Sequence, residues 1–260
     1  MQNAKRSIRE PAKKRREDHI NGKEKGKNLS RLSVILSVQQ HEKTIKKVLK
    51  EIEKLRPMEI VLIVNGCKDH SLKKILAYSS YPLTAFVYPF ALGDDVWRAI
   101  GAKEASGDVW LFLDADNIVA AEDMQSIVRT CYQGADIALR KHTESRRHPS
   151  LEQNTVLLAK AFLNSLVEHP ELGATSMADL PFAMTRQAAS IIGVQHLVVP
   201  AVAHAIAMQK QLRVVPSHIR GSAKLSRKSA PRPKTQTDAN QTALGDHLEA
   251  INYVMAHTSK

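Results

Sequence analysis

The first half of the chain alternates short apolar runs with amphipathic stretches. The runs LSVILSV (residues 32–38), EIVLIV (59–64) and VWLFL (109–113) have the length and composition of buried strands. Residues 42–55 place apolar side chains on one face of a helix, which ends at Pro57. The same alternation predicts further strands at residues 83–88 and 137–139, and further helices at residues 71–77, 96–104 and 122–132. Strands that alternate with helices indicate an α/β fold, in which helices flank a mixed, mostly parallel sheet.

The second half of the chain has a less regular pattern. It predicts one short strand at residues 212–215 and four helices, at residues 151–168, 183–192, 201–209 and 245–256. Residues 217–240 are rich in Ser, Lys, Arg, Pro and Thr, which indicates a mobile loop.

Polar clusters follow three of the predicted strands, at residues 39–42, 65–69 and 114–116. The carboxyl ends of parallel strands meet at one edge of an open sheet, and ligands bind beyond that edge. We therefore expect the three clusters, far apart in sequence, to converge on a single site.

The third cluster contains two carboxylates, Asp114 and Asp116, directly after an apolar strand. Carboxylates at this spacing suit a hard divalent cation, Mg²⁺ or Mn²⁺, which stabilises a diphosphate leaving group. The alternative is an Asx turn that leads into the next helix.

The formal net charge of +12 is unevenly distributed along the 260 residues. Residues 1–30 hold ten basic and four acidic residues, and residues 217–236 hold six basic residues and no acidic one. The rest of the chain is neutral, with 22 residues of each sign. Residues 1–30 lack a sustained apolar period, so we expect a disordered basic arm. This arm either is a solvated tail or contacts an anionic surface, whether nucleic acid or lipid.

Composition excludes several classes of protein. No apolar run reaches the ~20 residues that span a bilayer, so we expect no transmembrane segment. Cys67 and Cys131 form neither a zinc motif nor a disulfide framework, which favours a cytoplasmic protein. The basic arm would allow such a protein to bind at the membrane periphery. An aromatic content of 5% weakens interpretations based on base stacking.

Three segments carry a resemblance to a known family. SVILSVQQHEKTI (residues 33–45), EIVLIVNGCKDHS (59–71) and GAKEASGDVWLFLDADN (101–117) resemble, in the same order, the signature segments of family 2 glycosyltransferases. PFAMTRQAASIIG (181–193) resembles, more weakly, the acceptor-side segment of these enzymes.

The resemblance implies a GT-A fold, which is a Rossmann-like sheet, in a single domain over residues 31–260. Residues 31–120 would bind the donor and residues 121–260 the acceptor. It also implies a metal-dependent, inverting transfer from a nucleotide-diphosphate sugar, with UDP as the expected nucleotide. The acceptor, whether glycan, lipid or small molecule, stays open.

The resemblance also assigns site residues by position. Those beside the nucleoside would be Gln40, His41, Glu42, Asn65 and Asp69. Gly93, Asp95 and Arg98 would lie along the ribose and the phosphates. Asp114 would face the nucleoside and ribose, and Asp116 would bind the metal on the diphosphate. Arg98 also suits a phosphate by its chemistry, since a guanidinium pairs well with phosphate oxygens.

The sequence departs from the family pattern at several of these positions. Gln40-His41 replaces the usual Asn-Glu pair, and Val64 stands where an Asp is common. The usual catalytic Glu-Asp pair is not visible, so we expect the base to be Asp179 or Asp246. The alternative role for Asp246 is the N-cap of the last helix. His247 would complete the metal shell, as a C-terminal histidine does in several GT-A enzymes.

Rival functions remain open at this point. The departures allow a degenerate protein that binds a nucleotide sugar without transferring it. The basic arm allows a protein associated with nucleic acid. A nucleotidyltransferase is disfavoured, because residues 38–43 (VQQHEK) lack the glycines of its phosphate loop.

Overall fold

The computed structural model describes residues 7–8, 31–78, 82–142, 151–219 and 236–258. The described strands are β1 (Ser7–Ile8), β2 (Leu32–Val38), β3 (Glu59–Asn65), β4 (Leu83–Tyr88), β5 (Val109–Asp114), β6 (Ile137–Arg140), β7 (Phe182–Thr185) and β8 (Val214–Ser217). The described helices are α1 (Ile45–Lys54), α2 (Ser71–Leu76), α3 (Val96–Glu104), α4 (Ala121–Tyr132), α5 (Leu151–Leu166), α6 (Arg186–Ile192), α7 (Pro200–Gln209) and α8 (Gln236–Thr258). No helix within these ranges is both long and apolar enough to cross a membrane.

The strands form one mixed sheet in the order β1-β4-β3-β2-β5-β7-β6-β8. Strands β2 to β5 are parallel to one another, and all seven residues of β2 at the centre are buried. A strand buried on both faces reads as a continuous apolar run, which is why the sequence predicted it. Two apolar cores, one on each face of the sheet, confirm the predicted α/β architecture.

The polar clusters after β2 and β5 lie at the same edge of the sheet, which we call the carboxyl edge. Ser37 pairs with Asp114 in the parallel register, and the Ala115 amide donates to the Ser37 carbonyl at 3.0 Å. The Thr44 hydroxyl then donates to the Ala115 carbonyl at 2.5 Å. The loops after β2 and β5 are thus joined directly.

Strand β7 corrects the predicted helix at residues 183–192. Its residues Phe182–Thr185 are extended and lie antiparallel between β5 and β6, and the helix begins only at Arg186. The segment FAMT is too short and uniformly apolar to show a period. Its conformation is set by the neighbouring strands, where the Phe182 ring stacks on Phe112 at 4.6 Å between centroids.

The last helix, α8, begins at Gln236, nine residues before its predicted start. Residues 236–240 of the predicted mobile loop are therefore helical, and residues 220–235 lie outside the described ranges. Asp246 lies within this helix rather than at its first turn, so the N-cap interpretation of Asp246 is wrong. Strand β8 lies two residues later than predicted.

Only two residues of the predicted basic arm are described. Ser7–Ile8 pairs antiparallel with β4, opposite Phe86 and Ala85. The remainder of residues 1–30, to which the disorder prediction applies, lies outside the described ranges.

Candidate functional site

A cavity of about 1020 Å³ opens at the carboxyl edge of the sheet. The loops after β2, β5 and β6 contribute to its lining, together with residues 93–98, residues 178–180 and part of α8. Most residues singled out from the sequence line it, namely Gln40, His41, Glu42, Asp69, Gly93, Asp95, Arg98, Asp114, Asp116, Asp179 and Asp246. Asn65 and His247 are buried and are not part of the lining.

Asp114 organises the turn that follows β5. Its Oδ1 atom accepts the amide of Asp116 at 3.1 Å and that of Asn117 at 3.3 Å. The Asx turn, given above as the alternative to a metal-binding role, is therefore present, and it leaves Asp116 lining the same cavity. The Oδ1 atom of Asp116 lies 3.7 Å from Nε2 of His41, so the first and third polar clusters meet at this point.

Asp114 and Asp116 suit a hard divalent cation by their chemistry, since both offer carboxylate oxygens. Within the described ranges, no group of three or more His, Cys, Asp or Glu side chains is arranged to hold a metal ion. The two carboxylates would therefore supply only part of a coordination shell. A bound diphosphate and water would supply the rest, which is the usual arrangement for Mg²⁺.

His247 lies in the core rather than beside these carboxylates. Its Nδ1 atom is 2.7 Å from the Ala243 carbonyl oxygen, and its Nε2 atom is 3.2 Å from Oγ of Ser176. Burial lowers the pKa of His247, so the ring is neutral near pH 7. Both ring nitrogens are thus occupied within the protein, and the structure does not bring His247 to Asp116.

Asp69 ties together the loops after β2 and β3. It accepts the Glu42 amide at 3.0 Å, the Ser71 amide at 2.9 Å and the Cys67 thiol at 3.0 Å. Burial alone would raise the pKa of Asp69, but the hydrogen bond with the Ser71 side chain, together with those from the Cys67 thiol and the two amides, lowers the pKa to about 2. The carboxylate is therefore a fixed anion that shapes this side of the cavity.

Glu42 is held by the second cluster and by α2. Its carboxylate lies 3.0 Å from the Lys74 ammonium and 3.4 Å from Nδ1 of His70. The Lys74 ammonium also donates to the Glu42 carbonyl at 2.9 Å. The pKa of Glu42 is lowered, chiefly by the hydrogen bond from Lys74.

Asn65 and Gly66 set the course of the loop that leads to α3. The Asn65 Oδ1 atom accepts the Leu92 amide at 2.7 Å. Within the described ranges, the buried Nδ2 atom of Asn65 has no hydrogen-bond acceptor. Gly66 has φ +60°, and a Cβ atom there would lie 3.0 Å from the Ala91 nitrogen. Glycine avoids both the strain of this left-handed backbone and the close contact between the two loops.

Arg98 lies at the base of the cavity with only 3% of its side chain exposed. Its Nε atom is 2.7 Å from Oδ1 of Asp95, and its two terminal nitrogens donate to the carbonyls of Met177 and Ala178 at 2.7 and 3.1 Å. The guanidinium predicted to contact phosphate is thus engaged with the protein itself.

The two predicted base candidates have different surroundings. Asp179 pairs with the buried ammonium of Lys160 at 2.6 Å. Burial, together with the nearby carboxylates of Asp95 and Glu249, raises the pKa of Asp246 to about 6, although the guanidinium of Arg98 lowers it. A carboxylate whose pKa lies near the operating pH is suited to proton transfer.

The sequence interpretation missed a basic group in the lining, at Arg140, Lys141 and His142. These residues end and follow β6, so the rule that located the other three clusters would have found this one too. Arg140 donates to the Leu180 carbonyl at 3.1 Å, and the Lys141 and His142 amides bond to Ser217 and Thr175. The cavity therefore has basic side chains as well as acidic ones.

Comparison with known proteins supports the architecture. The sequence model of the family described as "Glycosyl transferase family 2" matches residues 33–189. The comparison with curated proteins found no match.

Solved structures similar to this chain include complexes of glucosyl-3-phosphoglycerate synthase from Mycobacterium tuberculosis. The complex with phosphoglyceric acid has a TM-score of 0.63 at 17% identity, and the match covers 87% of this chain and 80% of that one. The complex with Mn²⁺, UDP and glucosyl-3-phosphoglycerate has a TM-score of 0.61 at 17% identity and the same coverage. The complex with Mn²⁺ and UDP-glucose has a TM-score of 0.62 at 16% identity, with coverage of 87% and 79%. At these identities the likeness establishes the fold.

Proposed function

Because this chain belongs to glycosyl transferase family 2, we propose that it transfers a sugar from a UDP-sugar to an acceptor hydroxyl in a metal-dependent, inverting reaction. The observation that carries the proposal is the convergence of Asp114, Asp116 and Asp246 on one cavity at the carboxyl edge. This edge is where open α/β sheets bind nucleotides.

The donor would lie along the loops after β2, β3 and β5. Asp116, with Asp114 fixed by its Asx turn, would hold the cation against the diphosphate. The cation, Mg²⁺ or Mn²⁺, supplies neutralisation of the charge that builds on the departing UDP. The proposal of UDP with Mn²⁺ is supported by the similar solved structure that binds both.

Asp246 is the proposed catalytic base. Its carboxylate would take the proton of the acceptor hydroxyl as that oxygen attacks the anomeric carbon. The new C–O bond forms on the face opposite the breaking bond to the phosphate oxygen, so the anomeric configuration inverts. The bonding electrons leave with UDP, and the proton stays on Asp246. Asp179, the other base candidate, is already paired with Lys160.

The proposed acceptor carries an anionic group. Arg140, Lys141 and His142 line the cavity together with Asp179 and Leu180, in the half of the chain expected to bind the acceptor. Basic side chains of this kind suit a carboxylate or phosphate. The similar synthase binds phosphoglyceric acid, which is a small acceptor of this class.

A nucleotide-sugar-binding protein without transferase activity is the second candidate. It is favoured by His41, which stands in the altered Gln40-His41 pair and lies 3.7 Å from Asp116. A protonated His41 would compete with a cation for that carboxylate. A role in binding nucleic acid rests on residues 1–30, of which only Ser7–Ile8 is described.

The test is binding and turnover of UDP-glucose with and without Mn²⁺. We expect a thermal shift that needs both, hydrolysis of the donor, and loss of both effects in Asp116→Ala. Asp108→Ala is the matched control, because Asp108 is exposed and precedes the first residue of β5, at the opposite end of the strand from Asp114. Full activity of Asp116→Ala would overturn the metal site. Binding without turnover, over a panel of anionic and neutral acceptors, would favour the second candidate.

The stereochemistry has its own readout. With an acceptor identified from that panel, proton NMR of the anomeric signal of the first product formed decides between inversion and retention. Retention would exclude Asp246 as the base of a single direct displacement.

A further inference from the structure

We propose that Arg98 is a positioning residue that joins the donor side of the cavity to its acceptor side, and that it is not a ligand of the donor phosphates. The two sides are the loop at residues 93–95 and the segment at residues 173–180, which we call the acceptor wall. The assignment of these segments to the donor and the acceptor rests on the proposed function, whereas the contacts of Arg98 with both segments do not depend on it.

The contacts of the guanidinium span both segments. Its Nε atom lies 2.7 Å from Oδ1 of Asp95 on the donor side. Its terminal nitrogens donate to the carbonyls of Met177 at 2.7 Å and Ala178 at 3.1 Å on the acceptor wall. The guanidinium carbon lies 5.4 Å from the Trp97 ring centroid and 5.5 Å from that of Phe182. The two terminal nitrogens of Arg98 therefore each donate to a carbonyl of the acceptor wall, whereas Nε is ion-paired with Asp95 without hydrogen-bond geometry.

The acceptor wall is held by side chains along most of its length. The Asn164 amide donates to the carbonyls of Gly173 at 2.7 Å and Thr175 at 2.9 Å. Further along, Ser176 bonds to His247, Asp179 pairs with Lys160, and Leu180 accepts from Arg140.

A short 3-10 turn at Pro170–Leu172 precedes the wall, and residues 173–180 themselves belong to no helix or strand. These side chains therefore supply hydrogen bonds that a helix or strand would otherwise make. Buried polar groups are costly unless paired, and their concentration here fixes one conformation of the wall.

Arg98 differs from the other side chains that hold the wall because it also contacts the donor side. Asp179 and Leu180, at the end of the wall, line the cavity, as does Asp95 on the opposite side. The buried guanidinium of Arg98 thus helps to set the distance between the loop at residues 93–95 and the acceptor wall. To turn toward a phosphate, the guanidinium would have to weaken its hydrogen bonds to the carbonyls of Met177 and Ala178. We infer that its role is to keep the two substrate surfaces in register, which matters because small misplacements of reacting groups slow a transfer strongly.

The test compares Arg98→Met with the control Arg186→Met. Arg186 also donates to a carbonyl, that of Gly107 at 3.0 Å, but it does not line the cavity. We expect Arg98→Met to change the Kd for UDP with Mn²⁺ by less than about 2-fold and to lower turnover of UDP-glucose by at least about 10-fold. A rise of about 10-fold in that Kd would overturn the proposal, because it is the result expected for a phosphate ligand.

Hydrogen exchange tests the link without any ligand, so its outcome stands even if the protein fails to bind UDP. Asp95→Asn removes the charge with which Arg98 pairs on the donor side and leaves both carbonyl partners of Arg98 in place. We expect it to speed amide exchange in residues 174–180, to which Asp95 is linked through Arg98, and to leave residues 186–192 unchanged. Unchanged exchange in residues 174–180 would overturn the link. If Arg98→Met does not fold, Arg98→Lys, which keeps the charge but cannot reach both carbonyls and Asp95, is measured in the same way.

Discussion

The ammonium of Lys160 lies 2.6 Å from Oδ1 of Asp179, and the two members of this pair differ in exposure. The Lys160 side chain is 8% exposed and the Asp179 side chain is 33% exposed. Removal of the carboxylate would leave a cation in the core, whereas removal of the cation would leave a carboxylate that water can reach. We expect Asp179→Ala to lower the free energy of unfolding by about 3 kcal/mol and Lys160→Met by about 1 kcal/mol or less.

Urea unfolding at pH 7 measures both changes, with Lys50→Met on the exposed face of α1 as the control. Equal losses for the two variants of the pair would show that Lys160 reaches solvent when Asp179 is absent.

Asp246 should control how activity depends on pH. Burial raises the pKa of Asp246 to about 6, and a base acts only when it is ionised. We expect kcat/KM to rise with pH up to about 6 and to level off above it. Asp246→Asn should lower kcat by about 10²–10⁴-fold and keep the Kd for UDP with Mn²⁺. Asp179→Asn, compared in the same assay, should retain the pH profile. If Asp246→Asn keeps its kcat, another group is the base.

Ionisation of Asp246, which should raise activity as pH increases, should lower the free energy of unfolding. Because the pKa of Asp246 is raised above its usual value of 3.8, the folded state binds this proton more tightly than the unfolded state does. Its stabilising contribution is present below pH 3.8 and is lost as pH rises through about 6. The neutral variant Asp246→Asn should therefore exceed the wild type in free energy of unfolding by about 1 kcal/mol at pH 7.5, allowing for the half-exposed site.

At pH 4 this advantage of Asp246→Asn should shrink toward zero. Unfolding in urea at the two pH values measures the difference. A constant difference between the two proteins would mean that ionisation of Asp246 carries no cost in the folded state.

A side chain at position 66 should destabilise the fold. Alanine there would combine a left-handed backbone with a Cβ atom 3.0 Å from the Ala91 nitrogen. We expect Gly66→Ala to lower the free energy of unfolding by about 2 kcal/mol or more and to weaken UDP binding, because the loop that leads to Gly93 would shift. Gly245→Ala is the control, since nothing lies within 4 Å of its added Cβ atom and the site is helical. The control should be neutral or more stable by up to about 1 kcal/mol.

The central sheet and the carboxyl edge could be predicted from the sequence because they depend on local patterns. Buried parallel strands such as β2 are continuous apolar runs, and the polar residues that follow them must meet where parallel strands end. The same rule would have located Arg140, which follows the pattern but was overlooked. Strand β7 could not be recognised, since FAMT becomes extended only by pairing between β5 and β6.

By itself, the sequence determined the fold class and which polar clusters share the cavity, because both follow from the order and period of apolar residues. Only the tertiary structure decided which polar side chains are available to a ligand. His247 and Arg98 have suitable chemistry for a metal and a phosphate, but α8 and α3 bury them against Ser176 and Met177. The adjacent sequence suggested Asp246 as the N-cap of a helix, but this residue instead lines the cavity near the carboxylate of Asp95. Burial and partners are properties of packing between distant segments, and no local pattern encodes them.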